Sequence, residues 1–266
     1  MTRTPRRPSA EATPPAPVLA DQLRSSLEDS AVPGRAEGEK AYLKSPLEHI
    51  GVPLPGMRAV VKTFVRRYPG LDRDTLLELA EELWDPPVHE SRSCAALVLE
   101  GYVDQLLPED TALLEQLLRE CATWAHVDLI APKVAGGMLL RHPQTAEDFL
   151  RWSRQEDQWV RRGGILSYLL ALRQVEEFPY YFKDFCDLAD PLLTDSRFFV
   201  RKAIGWALRE GTKHHPEEIC DWLRPRLPRV SGLTLREAIR NVPEETHREL
   251  VQAHAELNGR RPRSRT

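Results

Sequence analysis

Apolar residues recur every three or four positions through most of the chain, and this spacing constrains the fold more than any other feature. Leu76, Leu79 and Leu83 are one example, and they follow Asp72, a residue of the kind that caps helices. Between residues 55 and 257 no segment alternates apolar and polar residues beside a tight-turn dipeptide, so no β-strand is predicted. At about 11–12 residues per helix, the length predicts an all-α fold of about ten to twelve helices.

A short pattern, in which an arginine precedes small residues, recurs along the chain and indicates internal repeats. The five segments that fit the pattern begin at Ser91, Val127, Val160, Val200 and Leu235. Their starts lie 36, 33, 40 and 35 residues apart, a spacing typical of HEAT-like solenoids, in which stacked helix pairs bury a continuous core. We therefore expect a HEAT-like helical-repeat solenoid whose inner helices line a concave basic groove. In the second segment Asp128 replaces the arginine.

The two ends of the chain differ in composition from the part between them. Residues 1–40 hold six prolines with six basic and six acidic residues, and they offer little apolar surface for a core. We expect them to form a disordered proline-rich leader, with at most a frayed helix around Leu19 to Leu27. Residues 258–266 carry four arginines and no acid, a basic tail that either solubilises the end or contacts phosphates. The folded domain is predicted to span residues 41–257.

Several classes of protein are disfavoured by what the sequence lacks. No apolar run approaches the ~20 residues of a membrane-spanning helix, and the first twenty residues contain no signal-peptide core, so we expect a cytoplasmic protein without a membrane partner. The four cysteines are far apart and the eight histidines are scattered, so no disulfide and no structural metal are predicted. Glycine motifs of hydrolases, kinases and dinucleotide-binding enzymes are missing as well.

The segment TWAHVDLIAPK holds the residues best suited to chemistry. Trp124 and Asp128 are four residues apart and therefore share one face of a helix. Pro132 cannot donate a hydrogen bond to the carbonyl of Asp128, so we expect the helix to kink at this carboxylate. A simpler interpretation places the indole in the core and the aspartate on the surface near a helix N-terminus.

Two further segments carry cations and a second indole. In FVRKAIGWALRE, Lys202 and Trp206 are again four residues apart on one helix face. In QWVRRGGILS, Arg161 and Arg162 precede a glycine pair that permits close helix packing. If these segments lie on neighbouring inner helices, a carboxylate, two indoles and several cations meet on one wall. That combination suits a cationic, sugar-centred transition state on a phosphate backbone.

Together, the three segments resemble those of the AlkD-like DNA alkylation repair proteins, HEAT-like glycosylases that excise N3- and N7-alkylated purines. The resemblance covers roughly residues 42–243. It implies a monofunctional DNA glycosylase that hydrolyses the N-glycosidic bond of alkylated purines in duplex DNA, without a cofactor and without extruding the base. It also implies that Asp128 stabilises the sugar cation, that Trp124 and Trp206 cradle the deoxyribose, and that Arg162 contacts the DNA backbone. Its neighbour Arg161 is the alternative for that contact.

Any contact with DNA has to be local, because residues 41–257 carry 27 basic against 34 acidic residues. Arg58, Lys62 and Arg66 recur at helical spacing in a segment without acids, and they form either a solvated face or a stripe that binds phosphates. The residues predicted to bind DNA are Arg58, Lys62, Arg66, Lys133, Arg161, Arg162 and Lys202.

We expect a monomer associated with the nucleoid, acting on duplex DNA that carries alkylated purines. The main alternative is a non-catalytic HEAT-like scaffold that binds a DNA structure or a protein partner, because solenoids serve more often as scaffolds than as enzymes. A peptide-binding solenoid is a weaker third interpretation. The replacement of the recurrent arginine by Asp128 favours the enzyme.

Overall fold

The computed structural model describes residues 13–259, which form helices joined by short connections. Within this range no β-strand is present, and the one β-type pairing is an isolated bridge between Glu48 and Val88. The predicted all-α fold is confirmed. Residues 1–12 and 260–266, which include half of the predicted leader's basic residues and all four arginines of the basic tail, lie outside the described residues.

The chain forms two compact units. The first consists of residues 13–40 and 47–102, and the second of residues 41–46 and 103–259. The helices of the first unit are α1 (Ala16–Glu28), α2 (Arg35–Leu43, whose last three residues belong to the second unit), α3 (Leu54–Arg67), α4 (Arg73–Trp84) and α5 (His89–Gly101). Those of the second unit are α6 (Thr111–Arg119), α7 (Trp124–Leu129), α8 (Gly136–Arg141), α9 (Ala146–Ser153), α10 (Gln158–Leu166), α11 (Phe178–Ala189), α12 (Phe198–Gly211), α13 (Pro216–Leu223), α14 (Gly232–Ala238) and α15 (Glu244–Gly259).

The described residues thus contain fifteen α-helices, more than the ten to twelve predicted. Part of the difference lies before residue 44, where α1 and α2 occupy a region that we expected to be disordered. Another part lies between residues 124 and 141, where one continuous helical run is divided into α7, a π-helical turn and α8. A division of this kind depends on the local hydrogen-bond register, which apolar spacing does not report.

The predicted disordered leader is wrong for residues 16–40. Leu19, Leu23 and Leu27 recur every four residues along α1, are at most 2% exposed, and pack the helix against α3 and α4. Pro15 and Pro17 stand at the start of α1, where a missing backbone N–H costs nothing. Averaged composition concealed this short apolar stripe. The predicted domain boundary at residue 41 consequently falls inside α2.

The five sequence repeats coincide with helices. They fall on α5, α7, α10, α12 and α14, and within the second unit α10 packs against both α7 and α12, while α12 packs against α14. Hydrogen bonds join residues about one repeat apart along the chain. Two of them join side chains, Arg162 to Asp128 and Arg173 to Glu210. In a third, the side chain of Thr234 donates to the backbone carbonyl of Arg201. Such regular neighbour contacts are typical of helical-repeat proteins.

A π-helical turn interrupts the helix at the place where the sequence predicted a kink. It spans Ile130–Ala135 and contains Pro132, directly after the end of α7 at Leu129. Because Pro132 has no N–H for the carbonyl of Asp128, the hydrogen-bond ladder changes register there. The π turn therefore begins two residues after Asp128. None of the helices in residues 13–259 is long and apolar enough to cross a lipid bilayer.

Candidate active site

Helix α7 presents Trp124 and Asp128 on one side, one turn apart. Thr123 caps this helix, since its hydroxyl oxygen accepts a hydrogen bond from the N–H of Ala125 at 3.3 Å. Asp128 follows Trp124 by four residues, and both side chains are partly exposed and line the same cleft. The helical spacing thus places the two residues together, as predicted from the sequence.

The carboxylate of Asp128 is held by the guanidinium of Arg162 from α10. Nε and Nη2 of Arg162 donate to Oδ1 at 2.9 and 2.7 Å, and Nη2 also reaches Oδ2 at 3.1 Å. The Arg162 side chain is only 3% exposed, whereas that of Asp128 is 20% exposed. Two-pronged pairs of this kind fix the orientation of a carboxylate. Asp128 is therefore a positioned carboxylate with one side open to the cleft.

Close packing of α10 brings Arg162 to this place. A Cβ atom on Gly164 would lie 2.5 Å from the carbonyl oxygen of Phe149, and one on Gly163 would lie 2.5 Å from the side chain of Leu118. Only glycine permits these approaches, as the sequence suggested for this pair. The remaining nitrogen of Arg162, Nη1, donates to the carbonyl oxygen of Phe199 at 2.7 Å.

A cleft of about 500 Å³ opens in front of the carboxylate. Its walls include the three residues predicted to be catalytic, Trp124, Asp128 and Trp206, together with four further aromatic or basic side chains. These are Tyr42, Phe198, Lys202 and Arg240. The indoles and the carboxylate thus come from α7 and α12, two helices that both contact α10. An acid, aromatic faces and cations share one opening.

The cleft combines a largely buried carboxyl group with a cation that is exposed. Burial raises the pKa of Asp128, while the adjacent Arg162 and the more distant Lys202 oppose the rise by stabilising the ionised form. Lys202 is exposed, and it has no ion-pair partner in the described part of the chain. Its ammonium lies 5.9 Å from the ring centre of Phe198. Lys202 is therefore free to bind an anion at the mouth of the cleft.

A buried glutamate anchors the second indole. Nε1 of Trp206 donates to Glu210 at 3.3 Å, one turn further along α12. Arg173 and Lys213 also bind this carboxylate, at 2.5 and 2.6 Å, and they lower its pKa although burial opposes them. Sequence reasoning missed Glu210, although its position four residues after Trp206 was a usable signal.

Both arginines that were predicted to contact the DNA backbone have partners inside the fold. Arg162 was expected to contact the DNA backbone, but its guanidinium is buried against Asp128. Arg161, the alternative, binds Asp195 at 2.7 Å and the carbonyl oxygen of Gln155 at 2.7 Å. Both cations already have carboxylate partners inside the fold. Arg162 therefore binds the Asp128 carboxylate in this structure, and its charge alone could not indicate this partner. Its contact with the DNA backbone stays a prediction.

The other predicted DNA-binding residues lie on exposed surfaces. Lys133 is exposed on the π-helical turn, outside the lining of the cleft. In the first unit, Arg58, Lys62 and Arg66 are exposed along α3, as the helical spacing predicted. Arg58 pairs with Glu100 at 3.0 Å, which partly neutralises this stripe.

Sequence reasoning also missed two aromatic residues that line the cleft, Tyr42 and Phe198. The ring of Tyr42, on α2, meets that of Trp124 edge to face, with centroids 6.1 Å apart. Phe198 is 54% exposed at the start of α12. Its position four residues before Lys202 was a local signal, whereas nothing near Tyr42 in the sequence indicated that it would meet Trp124.

Comparison with known proteins identifies a family and solved structures of similar fold. A family model for a DNA alkylation repair enzyme matches residues 23–242. A solved structure of a predicted DNA alkylation repair enzyme from Enterococcus faecalis has a TM-score of 0.70 at 20% identity, over 81% of this chain and 98% of the other. The crystal structure of AlkD2 from Streptococcus mutans has a TM-score of 0.51 at 14% identity, over 83% and 98%. A search of curated proteins gave no significant match.

At these identities the solved structures show a shared fold, the helical fold of these repair proteins. The family model adds more, because its match spans most of the chain and includes the helices that carry Trp124, Asp128, Arg162 and Trp206. The chain therefore belongs to the DNA alkylation repair enzyme family.

Proposed function

We propose that this protein is a DNA glycosylase that excises cationic N3- and N7-alkylated purines from duplex DNA by hydrolysing the N-glycosidic bond. The observation that carries the proposal is the Asp128 carboxylate, held from behind by a buried Arg162 and open in front to a cleft that Trp124 and Trp206 also line. The family membership supports alkylation repair, and the cleft supplies groups suited to this bond cleavage.

The substrate itself provides the leaving group. Alkylation at N3 or N7 makes the purine a cation, so the bond between the sugar C1′ and the base nitrogen breaks with both electrons going to the base. The sugar is left with oxocarbenium character, the kind of charge that a glycosidase carboxylate stabilises. A water molecule then adds to C1′ and loses a proton, which leaves an abasic site and the free base.

Each side chain of the cleft has a role in this scheme. Asp128 stabilises the sugar cation and accepts a hydrogen bond from the attacking water. Trp124 and Trp206 offer aromatic faces to the deoxyribose, which favour a cation in contact with them. Lys202 binds a phosphate of the backbone at the mouth of the cleft. Because the family resemblance implies that the base stays in the helix, the sugar and not the base is the group that these residues contact.

The test is release of free base from methylated duplex DNA. Wild-type protein should release 7-methylguanine and 3-methyladenine without an added cofactor, measured by chromatography. Asp128→Asn should lower the single-turnover rate by about 10²–10³ while DNA affinity is retained, the size typical of losing one preorganised charged group. Asp187→Asn, at an exposed carboxylate on α11, is the matched control and should act as wild type. Equal rates for all three proteins would refute the proposal.

A second candidate function rests on the same ion pair. Because Arg162 binds both oxygens of Asp128, the pair also suits a purely structural contact in a scaffold that binds DNA or a protein without chemistry. A scaffold would bind duplex DNA yet release no base with any alkylated substrate.

We further expect the glycosylase to act as a monomer in the cytoplasm, at the nucleoid.

A further inference from the structure

Three potential metal ligands meet in the first unit, and none of them lines the cleft of the proposed reaction. Glu39 lies on α2, His49 follows in the connection to α3, and Glu90 is the second residue of α5. One donor atom from each lies within 4.8 Å of the other two. No sequence motif joins these positions, which is why the histidine and cysteine spacing predicted no metal.

The cluster contains polar atoms that have no hydrogen-bond partner. Both ring nitrogens of His49 are buried, and neither has a partner among the residues described. Oε2 of Glu39 is buried and unpartnered as well, although its Oε1 accepts from Arg35 at 2.7 Å. Buried polar atoms without partners are rare in native proteins, and an ion is one of the groups that satisfies them.

Glu90 adds a fully buried charge. Its side chain is 0% exposed and accepts hydrogen bonds from the backbone N–H groups of Ile50, Gly51 and Val52 at 2.9, 2.6 and 3.1 Å. No cation pairs with it in the part of the chain that the structure describes. Isolated buried charges are costly unless they are paired or coordinate a metal. Oε2 accepts from Ile50 alone and keeps a lone pair for a further partner.

The imidazole of His49 has a fixed orientation. It stacks in parallel on the ring of His89, with ring centres 4.5 Å apart, which fixes its plane. Imidazole nitrogens and carboxylate oxygens are both donors found in zinc sites.

We propose that Glu39, His49 and Glu90 bind one divalent transition-metal ion, with Zn²⁺ the best match to one nitrogen and two oxygen donors. At zinc–ligand distances of about 2.0–2.2 Å, tetrahedral donors lie roughly 3.4 Å apart, so the cluster has to close slightly. Glu39 can make this movement because its side chain is 21% exposed on a helix without buried residues. The ion would attach α2, which has no buried residue of its own, to the start of α5.

Zinc content and affinity test the site with matched variants. Wild-type protein without an affinity tag should retain one Zn²⁺ per chain after dialysis, and its thermal unfolding temperature should rise with added zinc. Glu39→Gln and His49→Gln should each weaken zinc binding by at least about tenfold, the lower limit seen even when groups behind a ligand are removed. Glu37→Gln and His214→Gln, at exposed residues with no part in the cluster, should bind zinc as wild type does.

The ligands can be identified independently of affinity. X-ray absorption of the zinc-loaded protein should show nitrogen and oxygen neighbours and no sulfur, which excludes the four cysteines as ligands. Glu39→Gln keeps a solvent-accessible side chain of the same size, so it is expected to fold even if the site is lost. Failure of the wild type to retain zinc, sulfur in the zinc environment, or equal binding by Glu39→Gln and Glu37→Gln would overturn the proposal. None of these measurements uses DNA, so their outcome is separate from that of the glycosylase assay.

Discussion

Replacing Arg162 by lysine separates the two roles that this residue could have. The wild-type guanidinium makes three contacts with Asp128 and one with the carbonyl oxygen of Phe199. Lysine keeps the positive charge but has a single nitrogen, so it cannot hold both oxygens of Asp128 and reach Phe199 together. The substitution therefore loosens the carboxylate without removing the charge from the site.

The expected magnitudes follow from these contacts. Hydrogen bonds to charged groups are worth about 1.5–3 kcal/mol each, and breaking a buried ion pair costs about 3–5 kcal/mol. Because lysine retains part of the pair, the loss of unfolding free energy should lie near the lower end, about 3 kcal/mol. A carboxylate displaced by about 1 Å can lower the rate of a reaction about 10²-fold. DNA affinity should be unchanged, because Arg162 is 3% exposed.

Three measurements on one variant test this reasoning. Urea unfolding gives the stability, single-turnover release of 7-methylguanine gives the rate, and fluorescence anisotropy at several salt concentrations gives the affinity for duplex DNA. Lys202→Gln is the control from the same cleft, since Lys202 is exposed and unpaired within the described residues. It should weaken DNA binding and reduce the salt slope by about 1, the effect of one lost phosphate contact.

The opposite pattern would refute the positioning role. If Arg162→Lys weakened DNA binding and reduced the salt slope while base release at saturating DNA stayed at the wild-type rate, Arg162 would be a phosphate contact, as the sequence first suggested. A variant that loses neither stability nor rate would show that the ion pair with Asp128 has no part in holding the site.

Three further predictions concern the same unit. Gly164→Ala should destabilise the protein by about 1–3 kcal/mol in thermal unfolding, because the added Cβ would lie 2.5 Å from the Phe149 carbonyl oxygen, and unchanged stability would argue against this close approach. Burial raises the pKa of Asp195, but hydrogen bonds from Arg197 outweigh burial and lower this pKa to about 2. The ionised carboxylate therefore stabilises the fold above pH 3.8, and this contribution is lost as the pH falls towards 2. Asp195→Asn should flatten that part of the stability–pH curve, and an unaltered curve would contradict the assignment. Trp206→Ala should lower kcat/KM by about 5–30-fold, a cost of 1–2 kcal/mol for one aromatic face, and a wild-type value would place the indole outside the reaction.

Patterns that depend on neighbours along the chain were readable from the sequence. The position of Trp124 and Asp128 on one helix face follows from helix geometry alone. The interruption after α7 follows from the missing N–H of Pro132. The recurring arginine segments proved to lie on helices, and the glycine pair on α10 proved to be tightly packed.

Contacts between distant segments could not be read in the same way. Whether Arg162 turns towards DNA or towards Asp128 depends on how closely α10 packs, and the charge of a side chain does not report its partner. Composition also misjudged residues 16–40, because an average over a proline-rich stretch conceals four-residue spacing in α1. The cluster of Glu39, His49 and Glu90 has no signature in the sequence, since its members are separated by other elements.

The sequence by itself determined the all-helical fold, the side chains that share a helix face one turn apart, and the candidates for stabilising a sugar cation. Local hydrogen bonding and apolar spacing are sufficient for this because they act within a few residues. The tertiary structure decided which charges are used inside the fold and which stay free for a ligand. That choice depends on burial, and burial is a property of the packed molecule.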